Sequence, residues 1–201
     1  MQNAIGIIET RGFATAIQAA DAAIKAASVQ LGDWIKVGGG KVNIIIIGEV
    51  EAVKAALEAG IASAQEIGEV QSHVVIPRPS EKLTVFPLGI PGKASAIPAG
   101  TGLTSLGILE TRGLAPLVYG ADAAVKAAHV ELLEWRQVGS GFVSFVVQGD
   151  VASVQSAINA GRASAESIGE VISEAVIPRP AESVELALSG RPKPARRKTS
   201  K

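Results

Sequence analysis

The chain contains no cysteine among its 201 residues. That removes disulfides, thiolate nucleophiles, cysteine-ligated zinc and cysteine-bound iron–sulfur clusters from consideration. Aromatic residues make up only 3% although 47% of the chain is hydrophobic, so the core must be built from Ala, Val, Ile and Leu. Small aliphatic cores suit helices packed closely on a β-sheet. Histidine is almost as scarce. His73 and His129 are the only two, and no HExxH or DxDxDG spacing occurs, so no metal site is expected. No apolar run approaches the roughly 18 residues that span a bilayer, and Met1-Gln2-Asn3 lacks the basic start of a secretory signal. The expected compartment is the cytoplasm.

Charge of neither sign is in excess, with 19 basic and 19 acidic residues, but its distribution is uneven. Residues 191–201 hold six Lys and Arg and no acid, which leaves 13 basic residues against 19 acidic ones in the body, about −6. A mildly acidic body with a short basic tail argues against nucleic-acid binding.

The dominant signal is internal repetition. Shifted by 101 residues, Ala4–Glu81 aligns with Ser105–Glu182 without a gap, and more than half of the aligned positions are identical. A period this long is a domain duplication; solenoid units run roughly 20–50 residues. Each copy reads as βαββαβ, an α/β (α+β) unit of two helices on a four-stranded sheet. In the first copy the strands are Ala4–Glu9, Val29–Val37, Lys41–Gly48 and Glu69–Ile76, and the helices are Phe13–Ser28 and Val50–Ile67, with Gly68 as the C-cap of the second helix. The isoleucine run Ile44–Ile47 implies burial on both faces. The expected domains are 1–82 and 104–186, with a Pro/Gly-rich connector over 83–103 and a basic, disordered tail over 187–201.

Between the second and third strands of each copy stands a glycine turn, Val37-Gly38-Gly39-Gly40-Lys41 and Val138-Gly139-Ser140-Gly141-Phe142. Such a tip can be a plain turn, cradle a phosphate, or line a narrow opening in an oligomer. Phosphate loops place their glycines before a helix N-terminus, whereas these join strand to strand, which argues against the phosphate reading.

Catalysis finds little support. His73 aligns with Glu174 and His129 with Ser28, so a site built symmetrically by the duplication contains no histidine. The repeated Glu9-Thr10-Arg11 reads as an ion pair or helix-entry feature rather than a general acid. Asp21 and Lys25 form a favourable i,i+4 pair, repeated at Asp122 and Lys126. Arg78 and Arg179, each set between two prolines, suit contact with a partner's carbonyls or carboxylates.

The ordered motifs GIIETRGF, DAAIKAA, VGGG, AGIASA and VIPRP, repeated as GILETRGL, DAAVKAA, VGSG, AGRASA and VIPRP, resemble the bacterial microcompartment shell-protein domain, in its tandem-domain class. The resemblance covers about residues 3–82 and 104–183. It implies a non-enzymatic structural protein without cofactor: a homotrimer of pseudo-sixfold symmetry that tiles with hexameric and pentameric shell proteins around encapsulated enzymes. It implies a central pore for small metabolites, lined by Lys36, Gly38, Gly39, Gly40 and Lys41 and by Gln137, Gly139, Ser140, Gly141 and Phe142. It implies tile-edge contacts at Lys25, Arg78, Lys126 and Arg179. The absence of cysteine sets aside the pore-borne cluster of some tandem members. The rival is a ligand-sensing regulatory α/β module with the glycine loop at its site.

Overall fold

The computed structural model describes residues 3–89 and 105–181, together with Val184 and Leu188. The tail expected over 187–201, Leu188 apart, and the later part of the connector lie outside the described residues.

The first module runs β1 (Ala4–Arg11), α1 (Phe13–Ala26), β2 (Gln30–Gly38), β3 (Lys41–Gly48), α2 (Val50–Gln65) and β4 (Glu69–Ile76). The second repeats it as β5 (Ser105–Arg112), α3 (Leu114–Ala127), β6 (Glu131–Gly139), β7 (Phe142–Gly149), α4 (Val151–Glu166) and β8 (Glu170–Pro178). The two sheets are ordered β2-β3-β1-β4 and β6-β7-β5-β8, and every pairing is antiparallel. This is the fold expected from the periodicity.

Strand alternation sorts the side chains of the first sheet between two faces. Ile8, Val42, Ile44 and Ile46 pack with Ala16, Ala19, Ala23, Val53 and Leu57 of the helices. Ile5, Ile7, Ile45, Val74 and Ile76 instead join a cluster that contains Leu114, Leu117, Val118 and Val125 of α3. The isoleucine strand is therefore covered by its own helices on one side and by the second module on the other.

Small residues set the spacing of the layers. A Cβ on Gly60 would lie 2.8 Å from the Ala19 carbonyl, and one on Gly161 would lie 2.9 Å from that of Gly120. These helix pairs approach too closely for larger side chains, which accounts for the alanine-rich, aromatic-poor composition.

Two details differ from the sequence reading. α1 stops at Ala26 because Ala27 is extended (φ −151°), releasing the chain toward β2. Gly68 is not a left-handed cap: α2 leaves through Glu66 in helical geometry, and Gly68 is absent from the positive-φ glycines. A Cβ on Gly68 would run into the Thr15 side chain, so the glycine is there for close approach.

The connector begins as a structural part of the junction. Glu81–Val85 forms a short 3-10 turn, and Leu83, Phe86 and Leu88 are buried in the cluster shared by the two modules. Phe86 packs on Trp135 of β6 with ring centroids 5.8 Å apart, and Lys82 Nζ donates to the Val130 carbonyl at 2.7 Å.

Candidate functional site

The two glycine turns, which are far apart in sequence, meet in one chain. A Cβ on Gly38 would lie 3.3 Å from the amide nitrogens of Ser140 and Gly141, and one on Gly39 would lie 2.9 Å from the Ser140 carbonyl. Gln137 Nε2 donates to the Lys36 carbonyl at 2.9 Å, tying the flanking strands together. Gly38, Gly39 and Gly40 have φ of 86°, 61° and 76°; Gly139, Ser140 and Gly141 have 119°, 52° and 86°. Consecutive residues with positive φ and crowded backbones explain why the tips need glycine. Ser140 is a side chain held in the left-handed region, and it is exposed. Lys36, Gly38, Gly39 and Gly40 are likewise exposed, as are Gln137 and Gly139.

Lys41 and Phe142, which bound the turns, sit differently. Lys41 is buried, with Nζ 2.7 Å from Glu9 Oε1 and 3.0 Å from Gln71 Oε1. Strand alternation turns the Lys41 side chain onto the junction face, where its ammonium neutralises a carboxylate. Phe142 is half-buried, and the Arg112 guanidinium lies 4.6 Å from its ring centroid.

Glu9 is the residue whose importance the sequence understated. It is an ion pair and a helix-entry group, but the helix belongs to the other module: Glu9 Oε2 accepts the Leu114 amide at 2.7 Å. First-turn amides lack intrahelical partners and carry positive dipole, so a carboxylate there both satisfies and stabilises α3. Gly113 is needed because a Cβ at that position would collide with the Glu9 carboxylate.

The expected edge residues divide into a joined pair and a separated one. Lys126 Nζ donates to the Arg78 carbonyl at 2.6 Å and pairs with Asp122, which is buried and accepts the Ser80 amide at 2.8 Å. Lys126 therefore spans the junction between modules. Lys25 makes only its pair with Asp21, at 2.6 Å, among the described residues. Arg78 and Arg179 are both exposed, and Arg179 alone has positive φ (51°), so the two proline-flanked arginines are not held alike.

One helix face is present twice in opposite environments. Leu114, Val118 and Val125 of α3 are 0%, 0% and 8% exposed. Their counterparts on α1, Phe13, Ile17 and Ile24, are 48%, 46% and 44% exposed, with Leu31 and Trp34 exposed beside them. The Phe13 and Trp34 rings meet at a tilt of 60° with centroids 5.3 Å apart, and Lys36 Nζ lies 4.7 Å from the Trp34 ring centroid. Among the described residues no group of three or more His, Cys, Asp or Glu is placed to hold a metal ion, and no helix is long and apolar enough to cross a membrane.

Comparison with known proteins accords with this architecture. The BMC domain matches the chain twice, over residues 4–79 and 105–180. The carboxysome assembly protein CcmO of Synechococcus elongatus is 38% identical over 180 residues, covering 88% of this chain, which spans 65% of the length of CcmO. The bacterial microcompartment shell protein EutM of Escherichia coli is 50% identical over 93 residues, 46% of this chain and 96% of EutM. PduA of Salmonella typhimurium, also a bacterial microcompartment shell protein, is 48% identical over 90 residues, 44% of this chain and 96% of its own. A crystal structure of a microcompartment protein from Desulfitobacterium hafniense superposes with a TM-score of 0.71 at 32% identity, covering 92% of this chain and 99% of that one. With its duplicated sheet, its paired glycine turns and these relatives, the chain belongs to the BMC domain family and carries two copies of that domain in tandem.

Proposed function

We propose that this chain is a non-enzymatic structural tile of a bacterial microcompartment shell, acting as a homotrimer whose six modules form a pseudo-sixfold ring. The modules are 1–82 and 104–186, joined by the 83–103 connector. The observation that carries this reading is the helix face buried once and exposed once. Inside the chain, α3 is docked on the open face of the first sheet. The equivalent face of α1 is apolar and uncovered, and the equivalent sheet face of the second module, with Ile108, Ala175 and Ile177, is not fully covered either. Each module thus has a knob and a socket, and one of each remains free. Head-to-tail contacts of this kind close into rings when the rotation permits. Phe13, Ile17 and Ile24 are already about half covered, so burying the rest of each supplies roughly half of the about 1.5–3 kcal/mol for burial from full exposure.

In such a ring the glycine turns of all six modules gather near the axis, continuing the contact already made between Gly39 and Ser140. They frame a pore for small polar metabolites, with Lys36 and Gln137 alternating beside it. The tile assembles with hexameric and pentameric shell proteins around encapsulated enzymes, and takes neither cofactor nor nucleic acid. Arg78 and Arg179, exposed in the single chain, serve the tile edges together with Lys25 and Lys126.

Sedimentation velocity tests the trimer. The parent chain is expected as a trimer and Ile17→Asp as a folded monomer, because Ile17 is exposed within one chain. A parent chain that remains monomeric at high micromolar concentration defeats this reading.

A further inference from the structure

Burying a carboxylate requires hydrogen bonds and a countercharge, and within the chain Glu9 has both. It fills the recess beside Gly113, accepts the Leu114 amide and is paired with Lys41. One module further on the arrangement changes. The carboxylate is Glu110, half-buried and without a hydrogen bond or ion pair among the described residues. The position of Lys41 is taken by Phe142 and that of Gln71 by Ile172, so the second module's own strands supply no ammonium there. Arg112, which stacks on Phe142, is engaged by Glu170 at 2.5 Å.

The recess equivalent to that beside Gly113 lies at the start of α1. It is open, about 220 Å³, and lined by Gly12, Phe13, Lys36, Gly38, Gly40 and Lys41. A Cβ on Gly12 would meet only Thr15 Oγ1, at 4.0 Å, whereas one on Gly113 collides with Glu9. The space that Glu9 occupies at one helix start is therefore vacant at the other. On this side stands a lysine that the other junction lacks: Lys36, where the second module has Gln137. Its Nζ lies 5.8 Å from the Phe13 ring centroid, over the helix start, and has no carboxylate partner among the described residues.

We propose that Glu110 of one copy seats in the Gly12–Phe13 recess of the next copy, accepts the Phe13 amide, and is neutralised by that copy's Lys36. The inference rests on the head-to-tail ring proposed above. Each junction then contains one buried carboxylate and one lysine. Within a chain the lysine comes from the strand beside the carboxylate; between chains it comes from the strand beside the helix. The junctions differ in partner but not in net charge, and the lysine swap gives the interchain contact a pairing distinct from the one inside the chain.

The test is a charge swap read by sedimentation across a dilution series. Glu110→Lys and Lys36→Glu are each expected to raise the trimer dissociation concentration at least tenfold, and the double variant to restore it. Glu110→Gln, which keeps the shape, is expected to weaken the trimer in the same direction. Circular dichroism confirms that each variant is folded, since neither residue has an ion pair among the described residues. A parent trimer that neither Glu110 variant weakens overturns the pairing and leaves the ring intact. Weakening by Glu110→Lys that Lys36→Glu neither reproduces nor rescues overturns the role of Lys36. A monomeric parent chain removes the ring itself, and this inference with it.

Discussion

Lys41 Nζ and Glu9 Oε1 meet at 2.7 Å inside the chain, while the other oxygen of the same carboxylate holds the first turn of α3. A lysine next to a glycine turn thus fixes one module against the other. Removing one partner of a buried pair leaves the remaining charge without compensation, which costs about 3–5 kcal/mol. Lys41→Met is expected to lose that much in urea unfolding. Adding Glu9→Gln should recover part of it, because the amide oxygen can still accept from Leu114 while neither group is charged. A double variant no more stable than Lys41→Met would show that the pair is not the source of the loss.

His73 provides the pH dependence. It lies on β4 at a cleft of about 350 Å³ between the modules, walled also by Leu57, Tyr119 and Ile168. Partial burial lowers its pKa below the ordinary 6.5. Between that depressed value and 6.5 the unfolded chain binds more protons than the folded one, so stability rises with pH through the window and falls as pH drops through it. His73→Gln should flatten the slope of the unfolding midpoint just below pH 6.5. An unchanged slope would assign the dependence to another group. The counterpart residue, Glu174, pairs with Arg162 at 3.1 Å.

Much of this was legible because the chain states its architecture twice. Periodicity is enough to place the eight strands and the helices α1 to α4 of the two described modules, and glycines that join strand to strand argue against a phosphate loop. What stayed hidden depends on which copy is covered. Phe13 and Leu114, or Ile17 and Val118, are equally apolar, and no local pattern tells that one member faces solvent while the other is enclosed. Lys41 shows the same limit: it borders the glycine turn, and only its register on β3, opposite Arg11 and on the face of Ile45, shows that its side chain enters the junction. Glu9-Thr10-Arg11 points to an ion pair or a helix entry, and the structure supplies both from afar: the ion is Lys41 and the helix starts 105 residues away. Gly68 stands where a cap would, and sequence cannot separate a glycine needed for φ from one needed for space.

The glycine tips make the last prediction, and they are not equivalent. Gly39 has positive φ, and a Cβ there would press on the Ser140 carbonyl, so a side chain at Gly39 strains its own backbone and pushes the two turns apart. A left-handed conformation costs a non-glycine residue roughly 1–2 kcal/mol before any clash. Ser140 already carries a side chain in that conformation and is exposed. Gly39→Leu should therefore lower the melting temperature and loosen the junction of the turns, which confounds any transport measurement. Ser140→Leu should leave the melting temperature and the trimer unchanged while narrowing the opening from three sides of the ring. Small-metabolite flux into assembled shells, compared between the parent and Ser140→Leu, is the deciding measurement. Reduced flux at unchanged assembly supports the pore, and equal flux would place the passage elsewhere.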